Sequence, residues 1–321
     1  MRYESICIGS LFIHKRELID MSDSRKVIVI TGCSSGFGEA AVRAFADRGD
    51  RVWGGLRDAQ GRHAAKKAEL EAYSDQVSVV DMDVTDDVSV RRAFEHILAQ
   101  GPVDVLINNA GVMYLGITEA FTLAQARAQM ETNYFGAVRT MQAVLPAMRA
   151  ARSGLIINTS SLVGQISPPF FATYSATKHA LEAYVQGLRY EVSPFGIDLA
   201  LVQPGPFGTG LLASGQAPGR PEVLAAYGDL AGVPVAMGEH FAAFLQSEEA
   251  PKPQQVVDAY LALADMPAGQ RPTRTVVGIT WGVDEVNAAK QPIQDRVLQE
   301  MQLDGVLGGA DVQMTGEGAS T

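Results

Sequence analysis

Short runs of β-branched and aliphatic residues recur along the chain, and each is followed by a stretch in which apolar positions fall three and four apart. The continuous runs predict strands buried on both faces, and the spaced stretches predict helices with one apolar side. Strands are predicted over 26–31, 51–56, 77–82, 103–108, 155–160 and 197–203, with a seventh candidate at 275–279. Helices are predicted over 37–48, 59–73, 86–99 and 173–192, and a long helical stretch follows the fourth strand as far as 149. Strand and helix alternate, so the expected fold class is α/β: one doubly wound parallel β-sheet with helices on both faces.

This reading gives a single domain over 22–303 with no internal repeat. Residues 206–250 break the alternation with glycines, prolines and apolar side chains that include Leu211, Leu212, Tyr227, Phe241 and Phe244. So long a connection after a strand's carboxyl end predicts a substrate lid or helices of its own. Residues 1–21 are expected to be an extension outside the fold. Their apolar run is short and is followed, not preceded, by basic residues, unlike a signal peptide. Residues 304–321, rich in Gly, Ser and Thr from about Leu307, predict a flexible tail.

Composition narrows the function classes. The 321 residues carry a formal net charge of −10, which argues against a nucleic-acid partner, because such binding rests on Lys and Arg at phosphates. No run approaches the ~18 apolar residues of a membrane span. Cys7 and Cys33 are the two cysteines, and the five histidines are scattered. Neither a disulfide framework nor a metal site is expected, and a reducing cytoplasmic setting fits best.

Chemistry enters at the predicted strand ends. Residues 31–38 read Thr-Gly-Cys-Ser-Ser-Gly-Phe-Gly between a strand and a helix. Gly32 suits a tight turn, Gly36 lets backbone approach a pyrophosphate, and Gly38 allows close helix–strand packing. The helix N-terminus offers N–H groups and positive dipole to phosphates. A structural turn without ligand would use the same glycines, and the G-x-x-x-G-x-G spacing departs from the general G-x-G-x-x-G. The second strand ends Leu56-Arg57-Asp58. An acid there suits the ribose of NAD, and an arginine suits the 2′-phosphate of NADP. Arg57, helped by Ser34 and Ser35, points to NADP(H); Asp58 turned inward would favour NAD(H).

Asn108-Asn109-Ala110-Gly111 ends the fourth strand, Ser160-Ser161 ends the fifth, and Asn133 lies mid-helix among apolar neighbours. Tyr174 and Lys178 stand four apart, on one helix face. A free phenol has a pKa of about 10. A neighbouring Lys⁺ lowers it and suits the tyrosine to acid–base work. Taken singly, each residue has a plain structural role as a turn residue, a buried amide, a packing aromatic or a surface charge. The ordered set is much harder to obtain by chance.

That set resembles the short-chain dehydrogenase/reductase family, and the resemblance covers nearly all of 26–280. Thr31, Gly32, Gly36 and Gly38 meet its T-G-x-x-x-G-x-G, residues 108–111 its N-N-A-G, and Tyr174 with Lys178 its Y-x-x-x-K. The resemblance implies a Rossmann-type fold and a catalytic set of Asn133, Ser161, Tyr174 and Lys178. Ser161 is preferred to Ser160 because the family's serine lies thirteen positions before the tyrosine. Cofactor contacts are implied at Gly32, Ser34, Ser35, Gly36, Phe37, Gly38, Arg57, Asn109, Ala110 and Gly111. Asp83 and Val84 are implied at the adenine, Pro204, Gly205 and Thr209 at the nicotinamide carboxamide, and Lys178 at the nicotinamide ribose. A closer similarity is to the 17β-hydroxysteroid and retinol dehydrogenase branch.

The implied reaction is NADP(H)-dependent interconversion of a ketone or aldehyde with an alcohol, with NAD(H) as the alternative cofactor. Met113, Tyr114, Phe170, Phe171 and the apolar side chains of 206–250 are expected to face a small, apolar substrate beside Ser161 and Tyr174. The family also implies a homodimer or homotetramer. An epimerase or lyase uses the same fold, and a non-enzymatic NADP-sensing module would be expected to lose Tyr174 or Lys178.

Overall fold

The computed structural model describes residues 25–303. The expected extension over 1–21 and tail over 304–321 lie outside the described residues. Seven strands, β1 (Val27–Thr31), β2 (Arg51–Leu56), β3 (Val77–Asp81), β4 (Val105–Asn108), β5 (Gly154–Thr159), β6 (Ile197–Pro204) and β7 (Arg274–Val277), form one sheet. Every pairing is parallel, in the order β3-β2-β1-β4-β5-β6-β7. All eight residues of β6 and all six of β5 are buried. That is why their sequences show no polar alternation: helices cover both faces of a parallel sheet.

Among the described residues, ten α-helices connect and cover these strands: α1 (Gly36–Asp47), α2 (Ala64–Tyr73), α3 (Asp87–Leu98), α4 (Leu123–Met130), α5 (Gly136–Ala151), α6 (Ala172–Val192), α7 (Pro221–Ala226), α8 (Val233–Leu245), α9 (Gln254–Asp265) and α10 (Val283–Glu300). Successive strand residues point to opposite faces. Ile28, Ile30, Ile107 and Ile157 accordingly join Phe45 of α1 and Tyr260 of α9 in one core. Val29, Leu106 and Ile156 join Phe94 of α3, Met141 of α5 and Val185 of α6 in the other. The chain leaves β1 toward β2 and β3, then returns to place β4 on the opposite side of β1. This reversal opens a crevice at the carboxyl ends of β1 and β4, where open α/β sheets bind ligands.

Several predicted boundaries move, each for a local reason. The helix predicted over 59–73 begins only at Ala64. Asp58 adopts a left-handed φ of +55°, and its carboxylate accepts the Arg62 backbone N–H at 3.0 Å, so 58–62 folds as a turn. The helical stretch predicted up to 149 is broken in two. Thr122 and Gln125 form a capping box that starts α4, and a π-helical turn over Glu131–Phe135 separates α4 from α5. The seventh strand stops at Val277, before Gly278 at φ +80°. Residues 206–250 carry α7, α8 and short 3₁₀ turns. Among the described residues no helix is long and apolar enough to cross a membrane.

Candidate active site

The glycine turn and the end of β4 are stitched together. Thr31 Oγ1 accepts the backbone N–H groups of Asn109 and Ala110 at 3.1 and 3.0 Å. Asn109 Nδ2 donates to the carbonyls of Thr31 and Gly32 at 3.0 and 3.1 Å. The approach is so close that side chains cannot be added. A Cβ on Gly38 would lie 2.4 Å from the Gly32 carbonyl oxygen, and one on Gly32, at φ +71°, would lie 2.7 Å from Ala110 Cα. Gly38 is therefore buried packing that seats α1, whereas Gly32, Ser34, Ser35, Gly36 and Phe37 line the crevice. Ser35, the N-cap of α1, makes no side-chain bond to its own helix.

The crevice is a cleft of about 430 Å³. At one end it is lined by Arg57, Arg62 and His63, with Asp83, Val84 and Thr85 nearby. Asp58 is not among the lining residues, because its carboxylate is spent on the Arg62 N–H. The Asp83 carboxylate accepts both the Thr85 N–H at 2.9 Å and its hydroxyl at 2.7 Å. The sequence reading missed Arg62 and His63 by placing them in a helix; Gly61 before them was the available signal. His63 Nδ1 lies 2.5 Å from the Arg57 carbonyl oxygen, so the turn folds both residues toward the cleft. Along the middle run Asn109, Ala110 and Gly111, facing Pro204, Gly205 and Thr209. This lining, with an uncapped helix N-terminus over a glycine cradle and Arg57 and Arg62 at one end, fits a nicotinamide dinucleotide.

At the other end, Tyr174 and Lys178 project from the first turns of α6 and are almost fully buried, at 4% and 5% exposure. The Ser161 hydroxyl stands close enough to the Tyr174 phenol to favour its charged form, and it donates to the Pro204 carbonyl at 3.5 Å. Ser161 and Ser160 both line the cleft, but Ser160 Oγ is buried without a hydrogen-bond partner among the described residues. Lys178 Nζ donates to the Thr159 carbonyl at 2.7 Å and lies 5.7 Å from the centre of the Tyr174 ring. Asn133 does not line the cleft. It sits buried in the π turn, where Oδ1 accepts the Val112 N–H at 2.8 Å and Nδ2 donates to Val112 O at 2.8 Å and Thr177 Oγ1 at 3.0 Å.

The expected depression of the tyrosine pKa by Lys178 is not what this geometry gives. Burial pushes the Tyr174 phenol up, and the Ser161 hydroxyl offsets only part of that. Burial pushes Lys178 down to about 8, with Glu182 opposing. Desolvation penalises the charged form of each group, so it raises the acid and lowers the base.

Beside Tyr174 lies an apolar cluster of Met113, Val163 and Phe171, against which Leu115, Leu211, Leu212, Met237 and Phe241 pack. Two expected substrate-facing aromatics are elsewhere. Phe170, at φ +70°, does not line the cleft; its carbonyl accepts the Gly116 N–H at 3.1 Å. Tyr114 is buried and stacked on Phe121. Tyr227 and Phe244 also lie outside the lining. Leu211, Leu212, Met237 and Phe241 belong to the 206–250 side chains expected there; Val163 and Leu115 were not anticipated, because nothing in local spacing marks them as neighbours of Tyr174.

The sheet order and glycine-lined crevice define a Rossmann-class α/β protein. Residues 26–218 match the family described as short chain dehydrogenase, and the chain belongs to that family. It is 44% identical over 186 residues to 3-ketodihydrosphingosine reductase of Bacteroides thetaiotaomicron, covering 58% of this chain and 65% of that protein. It is 39% identical over 189 residues to retinol dehydrogenase 8 of Bos taurus, covering 58% and 60%. The matched stretch thus spans less than two thirds of either relative. A short-chain dehydrogenase from Streptomyces avermitilis superposes with a TM-score of 0.69 at 31% identity, covering 88% of this chain and 98% of that one. Four further similar structures, 25–27% identical, were solved with NADP, 5-hydroxy-NADP or NAD.

Proposed function

We propose that the protein is an NADP(H)-dependent oxidoreductase that interconverts an apolar ketone or aldehyde with its alcohol. The observation that carries this reading is the burial of Tyr174 and Lys178 on one face of α6, with the Ser161 hydroxyl beside the phenol, in the same cleft as the glycine turn. The relatives' names, a ketodihydrosphingosine reductase and a retinol dehydrogenase, support an apolar carbonyl or alcohol substrate. The apolar cluster beside Tyr174 supports it independently.

The cofactor would be held by the backbone of 32–37 at the pyrophosphate, by Arg57 and Arg62 at the 2′-phosphate, by Asp83 and Val84 at the adenine, and by Pro204, Gly205 and Thr209 at the carboxamide. When bound, its nicotinamide supplies or accepts the hydride. The protein's work is orientation and proton handling. Ser161 donates a hydrogen bond to the substrate oxygen and stabilises negative charge as it develops there. Tyr174, kept protonated by burial, delivers the proton in the reductive direction. Lys178, fixed on the Thr159 carbonyl, would hold the nicotinamide ribose, and its ammonium stabilises the phenolate left behind. Asn133 has both amide hydrogens committed to Val112 and Thr177 and keeps one Oδ1 lone pair free, where a water chain to Lys178 attaches.

The test is a fluorescence titration with NADPH and NADH, followed by a carbonyl screen with NADPH oxidation as readout. Tighter NADPH binding and turnover of an apolar ketone or aldehyde are expected. Tighter NADH binding, indifferent to Arg57→Ala, would overturn the cofactor assignment, and failure to reduce any carbonyl or oxidise any alcohol would overturn the reaction.

A further inference from the structure

We infer that Trp281, backed by Phe241, forms a binding site for the distal part of an elongated apolar substrate, which makes a chain-extended ketone, aldehyde or alcohol the substrate class. The inference rests on the carbonyl–alcohol reading above. Trp281 lies in the loop after β7, outside every motif in the sequence. Its backbone is left-handed, at φ +47°, and Gly282 follows at φ +77°. The Val283 N–H donates to the Thr280 carbonyl at 2.9 Å, closing a turn with two left-handed central residues. Such turns favour Asn-Gly or Gly-Gly, and a bulky aromatic at the first centre is a genuine outlier.

Core packing does not explain this strain, because Trp281 is 44% exposed. The residue instead lines the cleft, with its ring 6.3 Å from that of Phe241 and tilted by 45°. The loop that carries it lies directly over the end of β6. Gly205 N–H donates to Val277 O at 2.9 Å, and a Cβ on Gly205 would fall 2.3 Å from the Ile279 carbonyl oxygen. Phe241 in turn packs on the cluster that contains Met113, Phe171 and Tyr174. An apolar surface therefore runs from the proposed proton donor, through Phe241, to a half-exposed indole held in place by a strained turn. Strain of this kind persists where function uses it. A short ketone would occupy only the inner cluster, and a longer chain would cover the indole.

The chain has two tryptophans, and Trp53 is buried in the core, so a Trp53→Phe background leaves Trp281 as the reporter. The experiment pairs its emission with NADPH oxidation across 2-alkanones from 2-butanone to 2-dodecanone. Emission should shift to the blue with 2-dodecanone and not with 2-butanone. In the wild type, kcat/KM should climb about three- to fourfold per added methylene over the range that reaches the indole. Trp281→Ala should reduce the long-to-short ratio of kcat/KM at least ~10-fold, an amount that follows from losing two or more methylenes of burial. Trp281→Asn, which suits the left-handed backbone, should lose the same ratio with no fall in Tm. A lowered Tm with an unchanged ratio would assign Trp281 to packing and overturn the inference. So would Trp281 emission indifferent to every chain length. If Trp281 emission responds but no ketone, aldehyde or alcohol is turned over, the reaction assignment fails while the chain site stands.

Discussion

The Asp58 carboxylate accepts the Arg62 backbone N–H at 3.0 Å, across a turn in which Asp58 itself is left-handed at φ +55°. One acidic residue thereby leaves the cleft and two cations, Arg57 and Arg62, enter it. The local device that ends the turn also sets the charge at that end of the cleft. Hydrogen bonds from charged donors contribute about 1.5–3 kcal/mol each. Arg57→Ala and Arg62→Ala should therefore each weaken NADPH binding by about 10- to 100-fold and leave NADH binding nearly unchanged. Asp58→Ala should weaken NADPH binding less, through loss of the turn. Tighter NADPH binding in Asp58→Ala would instead mean that the carboxylate opposes the phosphate.

Tyr174→Phe removes the hydroxyl that meets Ser161 and keeps the ring in its apolar cluster. Carbonyl reduction should fall by about 10²- to 10⁴-fold, the usual worth of a positioned acid, with cofactor affinity and Tm close to wild type. A variant retaining more than a tenth of wild-type kcat would remove Tyr174 from the proposed role.

The pH dependence of stability follows from Lys178. Its pKa is lowered by burial to about 8 from the 10.5 of a free lysine, so between these values the unfolded chain binds more protons than the folded one. Stability then rises with pH across that window. Below about pH 8 both states are protonated and the full cost of burying the charge is felt. Melting curves at pH 8 and pH 10 should show a rise in wild type relative to Lys178→Met, which lacks the group. An identical pH response in the two proteins would mean that Lys178 does not titrate in this range.

One turn beyond Lys178, Glu182 is buried in an ion pair with Arg274 at 3.1 Å, both side chains under 5% exposed. Gln203 and Gln165 also donate to its carboxylate, at 2.8 and 2.9 Å. Removing one member of such a pair leaves a buried charge uncompensated. Glu182→Ala should cost about 3–5 kcal/mol in urea unfolding. It should also lower the Lys178 pKa further, since Glu182 opposes the burial effect there. A loss under 1 kcal/mol would mean that water reaches Arg274 once the carboxylate is gone.

Much of this was legible in the sequence because burial leaves a local record. β5 and β6 read as continuous apolar runs, and they are buried along their whole lengths. Gly32 and Gly38 read as a turn and a packing contact, and the distances to Ala110 and to the Gly32 carbonyl give the reason. Where a competing local bond intervened, the reading slipped. The Asp58 side chain displaced the start of α2, and the Thr122–Gln125 capping box divided the long helix.

The sequence by itself determined the parallel sheet, the glycine turn and the pairing of Tyr174 with Lys178 on one helix face. Each is a matter of residue period or of backbone conformation, and both are written in near neighbours. Only the tertiary structure decided that Asp58 turns out while Arg62 and His63 turn in, that Phe170 misses the cleft, and that Trp281 reaches it. It also decided that burial outweighs the Ser161 hydroxyl in setting the Tyr174 proton. Desolvation and contact depend on what packs across from a residue, and in this fold those partners come from elements far apart in the chain, as Thr159 of β5 and Tyr260 of α9 do, 101 positions apart and 2.7 Å from each other.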